Sequence, residues 1–227
     1  ITFKNLYGVH YIELNSSKNV TVKNCTFEGF KPYLQKSYKE CINVDGTDEN
    51  TAGFNYDWSA HDKTVCKDVY ITNNTFKNIT YEAIKAYHYK NVIITGNTID
   101  KAGCGIKSYL YAEPSDNDND EEGNSNYLSA LKNPATEGVP YNANVLISQN
   151  TVRNITDSKE GFGIHIAGNA SRPIQGVTVT NNTVSATKLA GIYAKYANRI
   201  TISDNTVANA APNNPSLGNP KLPPINK

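Results

Sequence analysis

Lys85 and Lys107 stand in two nearly identical phrases, AIKAY from Ala83 and GIKSY from Gly105. His165 holds the same place in GIHIA from Gly163, Tyr193 in GIYAK from Gly191, Asn43 in CINVD from Cys41 and Glu13 in YIELN from Tyr11. Two residues further on come Asn15, Asp45, Tyr87, Tyr109, Ala167 and Lys195. Carboxylates, ammonium groups, an imidazole and tyrosines at matching positions can do two kinds of work. A lysine or histidine beside a carboxylate can transfer protons. Tyrosines and cations on a rigid surface can hold a sugar chain, because aromatics are enriched in binding patches. The candidate catalytic residues are Lys85, Lys107, Asp45 and His165. The candidate substrate-binding residues are Glu13, Asn43, Tyr87, Tyr109, Tyr193 and Trp58. The bland alternative is a solvated face whose cross-strand pairs each contribute well under about 1 kcal/mol.

These residues are positioned by a repeat. The second residue of each phrase is always isoleucine: Ile12, Ile42, Ile84, Ile106, Ile164 and Ile192. A second phrase recurs in register with it. It reads NVTVKNCTF, DVYITNNTF, NVIITGNTI, NVLISQNTV, GVTVTNNTV and RITISDNTV, beginning at Asn19, Asp68, Asn91, Asn144, Gly176 and Arg199. Both phrases alternate apolar and polar residues, as strands with one buried face do. Asn74, Asn97, Asn150, Asn182 and Asn205 share one corner, and Cys25 takes that place in the first copy. A corner Asn tolerates left-handed torsions, and stacked amides can bond from coil to coil. The shortest repeat, Ile84 to Ile106, is 22 residues. Repeats of this size stack as a solenoid around a continuous apolar column.

With the Ile row inward, Leu14, Val44, Ala86, Ser108, Ile166 and Ala194 also face the core. The two candidate columns then face outward. Strands stack about 4.8 Å apart, so the columns form one strip about 25 Å long. Insertions leave the repeat directly after two strip strands. One lies between Asp45 and Lys67 and holds Trp58, the only tryptophan; the other lies between Tyr109 and Asn144. Long loops on a rigid scaffold often carry function. A third, ITDSKEGF before Gly163, reads as a wider turn. SDNDNDEEG at Ser115 places Asp116, Asp118 and Asp120 in alternation, as a Ca2+ loop would. Gly123 is misplaced, however, and Tyr127 stands where the twelfth-position Glu belongs. A solvated acidic loop is the stronger reading and a weak Ca2+ site the other.

On these phrases the chain resembles the right-handed parallel β-helix superfamily, the pectate-lyase-like proteins with N-x-T-[FIV] corner repeats. The resemblance covers about residues 1–210. It implies an all-β, single-stranded, right-handed parallel β-helix, followed by a Pro/Asn-rich tail or linker at 211–227. The superfamily hosts lyases, hydrolases, epimerases and adhesins, so fold leaves function open. NVDGTD at Asn43 resembles the first polygalacturonase motif, GFG at Gly161 stands where G-H-G would, and Arg199-Ile200 is similar to the last motif. The D-D pair that hydrolysis needs is missing. A lyase would use a cation on the uronate and a base, roles that Lys85, Lys107, Tyr87, Tyr109 and His165 can fill, with a neighbouring like charge depressing one lysine. Both lysines can equally pair with Asp45 and Glu13. The vWiDH and RxPxxR signatures of pectate lyases are absent. A non-catalytic adhesin or glycan-binding solenoid needs only the strip.

Composition narrows the partners. A formal charge of +1 offers no bulk attraction to nucleic acid or an anionic membrane. No apolar run approaches the roughly 18 residues of a spanning helix. The partner expected is a polysaccharide, plant or microbial and in one version uronate-containing. A polar composition with many Tyr and Asn suits an extracellular or cell-surface protein, and sequons at Asn15, Asn19, Asn24, Asn73 and Asn78, several of which fall in strands or corners, favour a bacterial source. The opening ITFKN aligns with CTFEG at Cys25 and reads as the tail of an earlier coil, so a monomeric segment of a larger protein is expected. The spacing of Cys25, Cys41, Cys66 and Cys104 fits no zinc pattern. Cys25 and Cys104 read as small buried residues, and a Cys41–Cys66 disulfide would clip the first insertion.

Overall fold

The computed structural model describes residues 1–8, 10–32, 40–45, 65–109, 142–168 and 173–210. Every regular element in them is a strand. Apart from a short pair, Tyr7–Gly8 with Lys31–Pro32, the strands form three stacks, and the pairings among the described residues are parallel. One stack runs Lys18–Lys23, Cys66–Thr72, Tyr89–Thr95, Asn142–Ser148, Ile174–Thr180 and Ala197–Ser203. A second holds the N-x-T segments: Thr2–Lys4, Thr26–Glu28, the starts of Thr75–Ala86 and Thr98–Tyr109, Thr151–Ile155, Thr183–Thr187 and Thr206–Ala208. The third, the strip stack, runs Ile12–Asn15, Glu40–Asp45, the ends of Thr75–Ala86 and Thr98–Tyr109, Ile164–Ala167 and Ile192–Lys195. The arrangement is a parallel β-helix.

The register matches the repeat. Ile12 pairs with Ile42, Ile42 with Ile84, Ile84 with Ile106, Ile106 with Ile164 and Ile164 with Ile192. The inward rows of the three stacks make one core. Burying each such aliphatic side chain contributes about 1.5–3 kcal/mol. The core changes character along the axis. Phe3, Phe27 and Phe76 stack face to face, with successive centroids 5.0 Å apart; Ile99, Val152 and Val184 then continue that row. Ser108 does face inward, and Tyr89 reaches it across the core with a hydroxyl–hydroxyl contact of 2.5 Å.

The corner Asn residues form the expected ladder. The Asn97 amide donates to Ile71 O and to Asn150 Oδ1, while Asn97 Oδ1 accepts from the backbone and side chain of Asn74. The same pattern links Asn150 to Asn182 and Asn182 to Asn205. At the Cys25 end, the backbone N–H of Cys25 donates to Asn74 Oδ1. One detail differs from expectation. The left-handed torsion falls on the residue before the ladder Asn, at Asn24, Asn73, Gly96, Gln149, Asn181 and Asp204. The ladder Asn is therefore selected for its amide, and its predecessor for tolerance of positive φ.

The Cys41–Cys66 disulfide does not form: all four cysteines are free thiols. Cys66 Sγ instead lies 3.0 Å from Asp45 O and 3.3 Å from Leu14 O. Cys25 is only partly buried. Trp58, both long insertions, the Asp116–Asp118–Asp120 alternation and the Pro/Asn-rich tail lie outside the described residues.

Candidate functional site

The strip stack assembles both predicted columns. Glu13 pairs with Asn43, Asn43 with Lys85, Lys85 with Lys107, Lys107 with His165 and His165 with Tyr193. Asn15 pairs with Asp45, and Tyr109 with Ala167, which pairs with Lys195. Tyr87 follows its strand and donates its backbone N–H to Val44 O.

A third column, not recognised in the sequence, completes the face. It lies two residues before the Ile row and holds Glu40, Glu82 and Cys104 in register. The chain bends just after it. Cys41 and Ala83 turn into the core beside Ile42 and Ile84, so the preceding residue is thrown outward. At Gly105 a Cβ would meet Gly163 O at 2.2 Å, because that site also faces the crowded interior. The signal lay in the alignment of ECINVD with EAIKAY, where Glu40 and Glu82 coincide. The short insertion before Gly163 contributes as well. It carries Glu160 and Phe162 onto the same face, so it is more than a wider turn.

The charges are paired, and the pairs differ from those expected. Lys85 bonds to Glu40 rather than to Asp45 or Glu13. Lys107 lies 3.1 Å from Glu160 and 3.6 Å from Glu82. Asp45 faces His88 at 3.1 Å. Glu13 accepts from the Asn43 amide at 3.0 Å and lies 2.7 Å from His10 Nε2. His165 Nδ1 lies 3.4 Å from Glu160, close enough for attraction but without hydrogen-bond geometry.

The outward-facing columns are more deeply covered than strand alternation alone implies, which argues against the bland alternative of a solvated face. Asn43, Asp45, Lys85, Tyr87, Lys107 and His165 are all between 4 and 8% exposed. The rim is more open. The Glu13 side chain is 34% exposed and that of Glu160 44%, while Tyr109 and Tyr193 are half-buried and Lys195 is exposed. Ring contacts join Phe162, His165 and Tyr193, with centroids 4.4, 5.1 and 5.3 Å apart. The Lys85 and Lys107 ammonium groups sit 5.0 and 4.6 Å from the ring centroids of Tyr87 and Tyr109.

These contacts set the proton affinities. Burial pushes Lys107 down, but Glu82 and Glu160 outweigh it and hold the ammonium above its ordinary range. The expectation of a depressed lysine is therefore not met at Lys107. Burial pushes Glu40 up, yet Lys85 and His10 bring it down to about 2. Glu160 falls to about 2 in the same way, against its burial, through His165 and Lys107. Burial dominates at Glu82 and Asp45, whose carboxyls are raised. It also dominates at His165, which is lowered. Among the described residues no group of three or more His, Cys, Asp or Glu side chains could hold a metal ion.

Known proteins bear on the fold and on possible relatives. A curated protein of Streptococcus pneumoniae (strain ATCC BAA-255 / R6), plasmin and fibronectin-binding protein A, is 25% identical over 226 residues. The match takes in 82% of this chain and 30% of that protein's length. The crystal structure of PfbA, a surface adhesin of Streptococcus pneumoniae, is similar at 18% identity with a TM-score of 0.46, covering 92% of this chain and 59% of that one. The family described as right handed beta helix region matches residues 10–207. The three parallel stacks and the unbroken Ile register agree with that match, and the chain belongs to the right-handed beta-helix family.

Proposed function

We propose that this chain is a ligand-recognition segment of a bacterial surface adhesin, with the strip as its binding face. The observation that carries the reading is the mutually paired network from Glu40 through Lys85 and from Glu82 through Lys107, buried except where it ends on Glu160 at the rim. Charges buried in mutual pairs cost desolvation, and on the outer face of a sheet they hold neighbouring side chains in one arrangement. Such preorganisation suits recognition. The Lys107 ammonium stays protonated between two carboxyls, which suits a donor better than a base.

The similar pneumococcal protein is named for binding plasmin and fibronectin. Those two proteins are the first partners to try for this chain, with extracellular glycans beside them. Glu13, Asn43, Asp45, Lys85, Tyr87, Lys107, Tyr109, His165 and Tyr193 form the proposed binding set. The bacterial cell surface is the setting this reading assigns.

The test is a binding panel of plasmin, fibronectin and soluble polysaccharides against the purified chain, followed in parallel for new reducing ends and for the ultraviolet absorbance of unsaturated sugar ends. The expected result is retention without turnover. A second reading, glycan cleavage, has one observation in its favour. Glu40 is pushed down and Glu82 pushed up on adjacent coils, the separation an acid–base pair requires. Turnover that disappears in both Glu40→Gln and Glu82→Gln would establish it in place of the adhesin reading.

A further inference from the structure

The floor of the strip holds both lysines and carboxylates, whereas its rim carries carboxylates. Both central lysines lie in the floor, with side chains 9% and 7% exposed, and each already faces carboxyl groups. The charged groups that reach the rim around them are Glu13 and Glu160. Lys195, the exposed cation of these columns among the described residues, stands on the last coil with its ammonium 4.6 Å from the Tyr196 ring centroid. A polyuronate laid along this face would bring its carboxylates against Glu13 and Glu160 before it reached a lysine. Among the described residues it would also lose hydration over two lysines that are already paired with carboxyl groups.

The remaining groups suit an uncharged, hydroxyl-rich ligand. Asn43 Oδ1 and Glu82 Oε2 are closed off in the floor, so the acceptors a ligand can reach stand at the rim. Glu13 and Glu160 add exposed acceptors at the rim. Half-buried Tyr193, packed with Phe162 and His165, and half-buried Tyr109 offer flat rings beside them. A sugar ring has an apolar face to lay on such rings and hydroxyls to donate at its edge.

We infer that the strip takes an uncharged glycan, seated on Tyr109 and Tyr193 with hydroxyls donated to Glu13 and Glu160, and that it discriminates against uronate chains. This rests on the strip being the recognition face. The probes are galactomannan, xylan and dextran on one side and polygalacturonate and alginate on the other, titrated into the chain at about 20 mM and about 500 mM salt.

The expected result is binding of at least one uncharged polysaccharide, with Kd changing less than about twofold between the two salts. Tyr109→Ala with Tyr193→Ala then weakens it about tenfold or more, while Tyr193→Phe keeps most of the affinity. Both rings are partly exposed, so the double variant is expected to fold, and an unchanged melting temperature checks that. Preferred binding of polygalacturonate that weakens with salt and with the tyrosine variants would overturn the inference and leave the strip as the recognition face. So would binding of fibronectin or plasmin alone, lost in the same variants. Glycan binding that ignores both tyrosines would overturn the inference and the strip together.

Discussion

Lys107 shows most plainly how single residues hold this face in place. Lys107→Met leaves Glu82 and Glu160 without their shared cation. Removing one partner of a buried ion pair costs about 3–5 kcal/mol. Chemical denaturation of K107M is expected to show a loss of that size, reduced when Glu82→Gln is added; a loss below about 1 kcal/mol would place the network in water. The acid limb tests the same pairs. Glu40 and Glu160 have folded pKa values of about 2, below their unfolded value of 4.5. Their contribution is therefore fully present above pH 4.5 and is lost as pH falls toward 2. Glu82 and Asp45 are raised and act in the opposite sense, favouring the folded state where they are protonated. Melting temperature should fall between pH 4.5 and 2 in the native chain and fall less steeply in Glu40→Gln. At this scale Lys85, Lys107 and His165 could be placed from the phrases alone, because alternation within a strand is strict. Glu40 and Glu82 could not, because the bend at Cys41 and Ala83 breaks that alternation. Glu160 sits in a segment with no period at all.

The elements depend on two rows that do different work. In the ladder, Asn97→Ala removes four side-chain hydrogen bonds at a fully buried corner. The expected loss is about 3 kcal/mol in urea denaturation, with a similar loss for Asn182→Ala. Asn154→Ala should cost about 1 kcal/mol or less, since the bond its amide donates to Asp100 is exposed. Equal losses at all three would contradict the ladder. The Gly row is the second test. Gly105→Ala would set a methyl 2.2 Å from Gly163 O and 2.7 Å from Val152 Cγ1. It is expected to destabilise by about 1–3 kcal/mol, against the usual benefit of replacing glycine in a strand. The ladder was legible because five Asn residues recur at one register. The offset of the left-handed residue was not, because Asn, Gln, Gly and Asp all accept that torsion and mask its position.

For the whole molecule, six copies of one phrase were enough to specify the stacking, since each coil can bury its Ile row only on its neighbours. Sequence periodicity says which residues point outward but nothing of how deeply each is covered, so the burial of the strip was not legible. The central claim is that this face, rather than another wall of the solenoid, meets the ligand. Carbodiimide labelling of carboxylates followed by mass spectrometry tests it directly, with and without the best-bound member of the panel. Glu13 and Glu160 lie on the strip with side chains 34% and 44% exposed, while Glu28 and Asp100, 37% and 27% exposed, lie on the N-x-T wall. Ligand should protect Glu13 and Glu160 and leave Glu28 and Asp100 labelled as before. Protection of Glu28 and Asp100 with Glu13 and Glu160 unchanged would contradict the account.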